Sequence, residues 1–356
     1  MTRRRLPLLL SGAVALAAGL WAGVARLGYE LPSPGDLPAM HGPLLVCGFL
    51  GTVIALERAV ALRRAWGLLA PAFAALGALA LLGGAPRALA ALLAALASVV
   101  VLAISLVVLR GDRSLHHAVM TAAVLAWLAG NVRWVLGRPI FEVVGSWVAF
   151  LVLTIAGERL ELRRVLPPAR GARASFLVGV ALLLAGAALA ATSTRLGFRV
   201  LGAGELALAA WLARFDVARQ TVRIAGLPRF VATCLLAGYG WLALGGALAL
   251  AYGNPVAGPL YDAVLHAVFV GFVFSMIFGH APIIVPAVLG VRVEFRRRFY
   301  LHLALLHASL TARMVGDLAG LAALRRAGGL AGALAIAVFL VSTAAAARPE
   351  RPAARS

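Results

Sequence analysis

Twelve apolar runs follow one another along the chain, and each is long enough to cross a bilayer as a helix. They span approximately 6–28, 41–62, 67–84, 88–109, 116–136, 140–160, 173–192, 200–218, 229–252, 260–289, 299–320 and 328–347. In hydrocarbon every backbone N–H and C=O must be satisfied within its own segment, so serial runs of this length predict transmembrane helices. No polar stretch between them is long enough for a separate domain. The expected fold is therefore all-α: a polytopic bundle of about twelve spans, with residues 1–356 as a single integral-membrane domain. A hydrophobic share of 63% and a mean hydropathy of +0.97 exclude an ordinary soluble enzyme of this length. The N-terminal MTRRRLPLLLSGAVALAAGLWAG has the basic start and apolar run of a signal peptide. Without a small-x-small cleavage site ahead of a soluble domain, it reads as an uncleaved first span.

A net charge of +20 would suggest nucleic acid as partner in a soluble chain. Here the basic residues, 33 arginines and no lysine, sit in short inter-span loops and act as topology signals. With the N-terminus in the cytoplasm, 24 arginines fall on the cytoplasmic side and nine on the other. The second loop (Arg63, Arg64), the sixth (Arg163, Arg164, Arg170), the eighth (Arg219, Arg223) and the tenth (Arg296, Arg297, Arg298) are basic. The first, with Glu30 and Asp36, and the ninth, with Asn254, are not. Both termini are therefore expected inside a bacterial inner membrane, with the lipid bilayer as partner and no nucleic acid. Span 2 ends IALERAVALRR, span 6 ends IAGERLELRR, and span 10 is followed by VRVEFRRR. This is either a four-span repeat or a basic stop after each span.

Ionisable side chains are costly in hydrocarbon, so intramembrane histidines are candidates for function. Span 10 carries His266 and His280, 14 residues apart. That is about 21 Å of rise and about 40° of rotation, nearly one face at opposite depths. No single metal ion reaches both. His41 opens span 2 at the depth of His266, and Asp262 lies one turn before His266. On span 11, His302, Ser309, Arg313 and Asp317 share a face, with His307 nearer mid-depth. Arg133 and Asn131 end span 5 at the outer side. An outer cluster of His41, His266, Asp262, Arg313, Asp317 and Arg133 follows. Imidazole suits iron and copper, carboxylate orients imidazole, and arginine pairs with anions such as haem propionates. His280 stands as a further metal ligand at the inner end.

Each residue has a structural alternative. His41 can be interfacial, His266 a hydrogen-bonded core histidine, and His280 a partner of carbonyls near Pro282. His116, His117 and His302 read as interfacial. Arg313 and Asp317 can form an intrahelical pair. The small residues Gly271, Ser275 and Gly279 on span 10, and Gly48, Thr52 and Ala55 on span 2, read as helix-packing stripes. Pro282 and Pro286 are expected to kink or end span 10. Cys47 and Cys234 lie in separate apolar runs and form no disulfide or metal motif. No Walker A loop, dinucleotide fingerprint, His-Glu-x-x-His or nucleophile elbow is present.

Three segments are similar to the NnrS family of bacterial membrane proteins. HAVFVGFVFSMI (266–277) resembles its His-Ala-x-x-x-Gly-x-x-x-x-Met-Ile pattern, GYGWLALGGALAL (238–250) its Gly-Tyr-x-Trp-x-x-Leu-Gly segment, and HGPLLVCGF (41–49) a stretch with histidine at the same spacing before Gly-Phe. The resemblance implies twelve spans, haem and copper, and a role in nitric oxide or nitrosative-stress metabolism with a membrane or periplasmic redox partner. It makes His41 and His266 the candidate ligands. The family's second histidine and glutamate in span 2 are replaced here by Pro43 and Leu44, and its later Gly-His lies further downstream than Gly279-His280. Two other readings stay open: a secondary transporter of a small solute, and a non-catalytic membrane assembly protein.

Overall fold

The computed structural model describes residues 5–32, 35–167, 169–253 and 256–349; Asn254 of the ninth loop lies outside them. Twelve long helices follow in order among the described residues: α1 (Leu6–Arg26), α2 (Leu37–Leu62), α3 (Ala65–Leu82), α4 (Arg87–Gly111), α5 (Leu115–Val135), α6 (Ile140–Val165), α7 (Ala172–Leu189), α8 (Thr194–Phe215), α9 (Leu227–Tyr252), α10 (Pro259–Leu289), α11 (Phe299–Leu318) and α12 (Ala322–Ala346). All but α11 are long and apolar enough to cross a membrane. α11 has 20 residues, about 30 Å of helix, and its lower apolarity comes from His302, His307, Arg313 and Asp317, which it carries within the bundle.

The two ends of the helical array lie on one face. Arg5 at the start of α1 donates to the carbonyl of Val288 at the end of α10, 3.3 Å away. Ala347–Pro349, after α12, pairs antiparallel with Val291–Val293, after α10. The start of α1 and the ends of α10 and α12 thus share one face, the arginine-rich one.

Consecutive helices pack side by side, and α1 also touches α12. At the centre lie α6, with 78% of its apolar window buried, and α10, with 61%. α2 and α6 meet through the very segments that look alike in sequence: Arg58 of LERAVALRR pairs with Glu158 of GERLELRR at 2.5 Å. α10 touches both. A buried amide ties a second set of helices. Asn131 on α5 donates to the Ala94 carbonyl on α4 (3.1 Å) and accepts from Trp147 Nε1 on α6 (3.0 Å) and from Cys47 Sγ on α2 (3.5 Å). Both cysteines are free and buried.

Small residues serve packing where the sequence suggested it. A Cβ on Gly48 would meet Ala78 and Ala15 at 2.9 and 3.1 Å, so that stripe faces α3 and α1. Gly271 lies under Trp241, and Gly279 against Cys234, both on α9. Pro282 and Pro286 do not end α10, which continues to Leu289 and stops at Gly290 in the left-handed region (φ 66°). Each proline removes one donor, and bundle helices tolerate that where neighbours cover the freed carbonyl.

Two histidines expected at the membrane interface, both in the first turn of their helices, are covered by protein. His302 is 1% exposed among Phe278, Phe299 and Phe339, with ring centroids 5.0–5.4 Å away. His116 is 3% exposed beneath the α4–α5 loop. A position near a helix end is no guarantee of solvent, because neighbouring ends cover it.

Candidate cofactor cavity

α2 and α10 depart from regular α geometry at corresponding places. Directly after His41-Gly-Pro, residues Leu44–Leu50 form a π-helical stretch; directly after His266, so do Ala267–Phe274. A π turn widens the helix, shifts the register of the side chains beyond it, and is frequent at functional sites. Here both wide stretches line one cavity of about 660 Å³, within the roughly 300–1,000 Å³ of small-molecule and cofactor sites. Leu45, Val46 and Leu50 come from one stretch, and Phe269, Val270 and Phe274 from the other. Phe49, behind the wall, stacks on Phe274 at 6.2 Å.

His41 and His266 both face this cavity. His41 Nδ1 lies 3.1 Å from the carbonyl oxygen of Pro38, and His266 Nδ1 lies 2.7 Å from that of Asp262. A carbonyl only accepts, so each Nδ1 carries the proton and each neutral ring keeps its Nε2 lone pair. Neither Nε2 has a partner among the described residues. A ring fixed through Nδ1 and bare at Nε2 is the state in which imidazole binds a metal.

The same two imidazoles line a smaller chamber of about 80 Å³, walled by glycines of α1 and α12 and closed by Arg313. Arg313 sits 3.5 Å from Asp262 and 3.7 Å from Asp317, and Arg325 approaches Asp317 at 3.9 Å. The pair expected within α11 is thus part of a four-residue network reaching α10 and α12. The Asp262 carboxylate faces Arg313; its backbone carbonyl, not its side chain, sets the His266 tautomer.

Two predicted site residues lie elsewhere. Arg133 donates to the Glu142 carbonyl at 3.4 Å and is not on the cavity wall. The arginines that do line the cavity are Arg26, Arg87 and Arg138. Arg87 pairs with Asp36 at 2.5 Å and Arg138 with Glu142 at 3.9 Å, whereas Arg26 has no carboxylate within ion-pair distance among the described residues. His280 also lies off the cavity, its Nδ1 closing on the Met276 carbonyl at 2.7 Å. The 14 residues from His266 carry it into the opposite half of the bundle.

The donor types on this wall are those that a haem would use. Two bare imidazole nitrogens, apolar and aromatic walls, and an arginine without a carboxylate partner are what iron, macrocycle and propionates require. The fit to copper is poorer, because this wall offers no third histidine and no thiolate among the described residues.

No curated protein and no solved structure matches the chain. A family profile does, over residues 5–348, nearly the whole length. The chain belongs to that family, described as Domain of unknown function (DUF8744).

Proposed function

We propose that this chain is a multi-pass haem-binding protein of a bacterial inner membrane, with His41 and His266 as the iron ligands. We extend the proposal, on the resemblance of residues 41–49, 238–250 and 266–277 to the NnrS family, to a part in the response to nitric oxide or nitrosative stress. The observation that carries the haem reading is the pair of imidazoles on α2 and α10, each held through Nδ1 and bare at Nε2, on one cavity.

Haem, when bound, supplies one-electron chemistry at its iron. The chain's own residues account for the rest of the site. The Pro38 and Asp262 carbonyls keep the two ring protons on Nδ1. Arg26, at the rim, is the group available to hold a propionate. Phe269, Phe274 and Trp147 line the cavity and would keep water from a bound cofactor. The Arg313–Asp262–Asp317–Arg325 network keeps the charge of Arg313 compensated beside His266. In the orientation that the arginine bias favours, the cavity lies in the periplasmic half, so a redox partner approaches from that side. No copper step is assigned.

Titration of the purified, haem-free chain with hemin tests the reading. The parent is expected to saturate at one haem per chain with a sharpened Soret band. The His41→Ala/His266→Ala double variant is expected to show only unsaturable partitioning into detergent. Equal, saturable uptake by both proteins would contradict the proposal. A transporter or an assembly factor would bind no haem at all.

A further inference from the structure

At the opposite face of the bundle, the α4–α5 loop and the start of α5 gather a second set of metal-ligating groups that the haem site does not use. Asp112 directly follows α4, and His116 and His117 lie in the first turn of α5. Their ligand atoms all lie within 4.8 Å of one another. Glu161 joins them from α6, with Oε1 3.8 Å from His116 Nε2. Consecutive helix residues point about 100° apart, yet these two rings converge. His116 uses its far nitrogen and His117 its near one. His116 Nε2 and His117 Nδ1 lie 3.2 and 3.1 Å from the same atom, the Ser114 hydroxyl oxygen.

That serine is informative. It occupies the N-cap of α5, where a hydroxyl ordinarily accepts from a backbone N–H of the first turn. It makes no such capping bond and instead fills the point between the two imidazoles. Asp112 is held in place as well: Oδ1 accepts from the Ser114 backbone N–H at 3.1 Å, and Oδ2 and the backbone carbonyl oxygen lie 3.3 and 3.2 Å from His117 Nδ1. This Nδ1 therefore carries the ring proton here and gives it up when a metal binds.

We propose that Asp112, His116, His117 and Glu161 form a binding site for a first-row transition dication, with Zn²⁺ as the best match. Two imidazoles and two carboxylates make a zinc-type donor set whose two negative charges balance a dication. Bonds of about 2.0–2.1 Å place tetrahedral ligands about 3.3 Å apart. The Asp112–His117 separation already has that value, and the longer gaps close by movement of the half-exposed Asp112 and Glu161 side chains. Rotation of Ser114 about χ1 vacates the central point and returns its hydroxyl to the cap. The bound ion joins the α4–α5 loop to the end of α6, so the site acts as a staple on the arginine-rich face.

Equilibrium dialysis of the full-length purified chain against buffered micromolar free Zn²⁺, with metal per chain read by elemental analysis, tests this. The parent is expected to hold one zinc that His41→Ala/His266→Ala also holds and His116→Ala/His117→Ala lacks. Asp112→Asn removes no packed side chain. It is expected to weaken binding about tenfold or more, and it carries the test if the double-histidine variant fails to fold. No zinc on the parent, or full zinc on both the Asp112→Asn and the His116→Ala/His117→Ala proteins, overturns the site.

Discussion

Replacing His266 by alanine is expected to strip haem from the chain while leaving the protein in the membrane. The imidazole is held by the Asp262 carbonyl at 2.7 Å and presents a bare Nε2 to the cavity. The substitution removes that nitrogen together with the ring's bond to the Asp262 carbonyl of its own helix. α10 stays apolar enough to insert, because alanine in place of histidine lowers the cost of the span. His41 alone is expected to retain a weak hold. Haem per purified chain should fall by at least about tenfold, since even outer-shell partners of a metal ligand act on that scale. Membrane abundance should stay within about twofold, the effect of a stability change below roughly 1 kcal/mol. His280→Ala serves as the matched control on the same helix: its ring closes on the Met276 carbonyl, off the cavity, and its haem content should equal the parent's. Loss of haem from His280→Ala with retention in His266→Ala would reverse the assignment.

The largest stability effect is expected at Asp216, which follows α8. Its carboxylate accepts two hydrogen bonds from Arg159 on α6, from Nε at 2.6 Å and Nη2 at 2.8 Å, and a third from the Ala218 N–H at 2.6 Å. The side chains are 4% and 0% exposed. Removing one partner of such a pair strands a buried charge, a loss of about 3–5 kcal/mol. Asp216→Ala should therefore unfold at markedly lower temperature in detergent. Glu294→Ala, at a half-exposed carboxylate 3.6 Å from Arg296, should lose no more than about 1 kcal/mol. Equal melting of the two variants would show that the Arg159–Asp216 pair is not the anchor its geometry describes.

The helices were legible because hydrocarbon leaves the backbone no alternative to them. Run lengths located all twelve, including α11, whose histidines and charges face the bundle rather than lipid. The outer site was legible in part for the same reason: His41, His266 and Asp262 were singled out by depth, and they share a cavity. What the sequence did not carry is the way neighbouring elements redirect side chains. Arg133 and Arg138 are five residues apart, and only the loop's path turns Arg138 toward the cavity and Arg133 toward the Glu142 carbonyl. A signal for Arg26, Arg87 and Arg138 was nonetheless present. All three belong to the nine arginines on the arginine-poor face, where topology gives no reason for them.

The π-helical stretches left no trace in composition, since Leu44–Leu50 and Ala267–Phe274 are as apolar as any α-helical run. Only their shared position after a histidine suggests their part in shaping the site. The burial of His116 and His302 was not legible because depth along a span says how near a residue is to the interface, not which neighbour covers it. Asp216 sits at the end of a span among loop-like residues, and nothing in its surroundings announced that Arg159 would reach it from α6.

The optical spectrum of the purified parent, reduced with dithionite and compared with the air-oxidised protein, tests the central claim most directly. If His41 and His266 ligate haem iron as proposed, the Soret band is expected to shift on reduction, with resolved α and β bands and about one haem per chain. A colourless protein, prepared from cells in which other haem proteins are replete, would contradict the account.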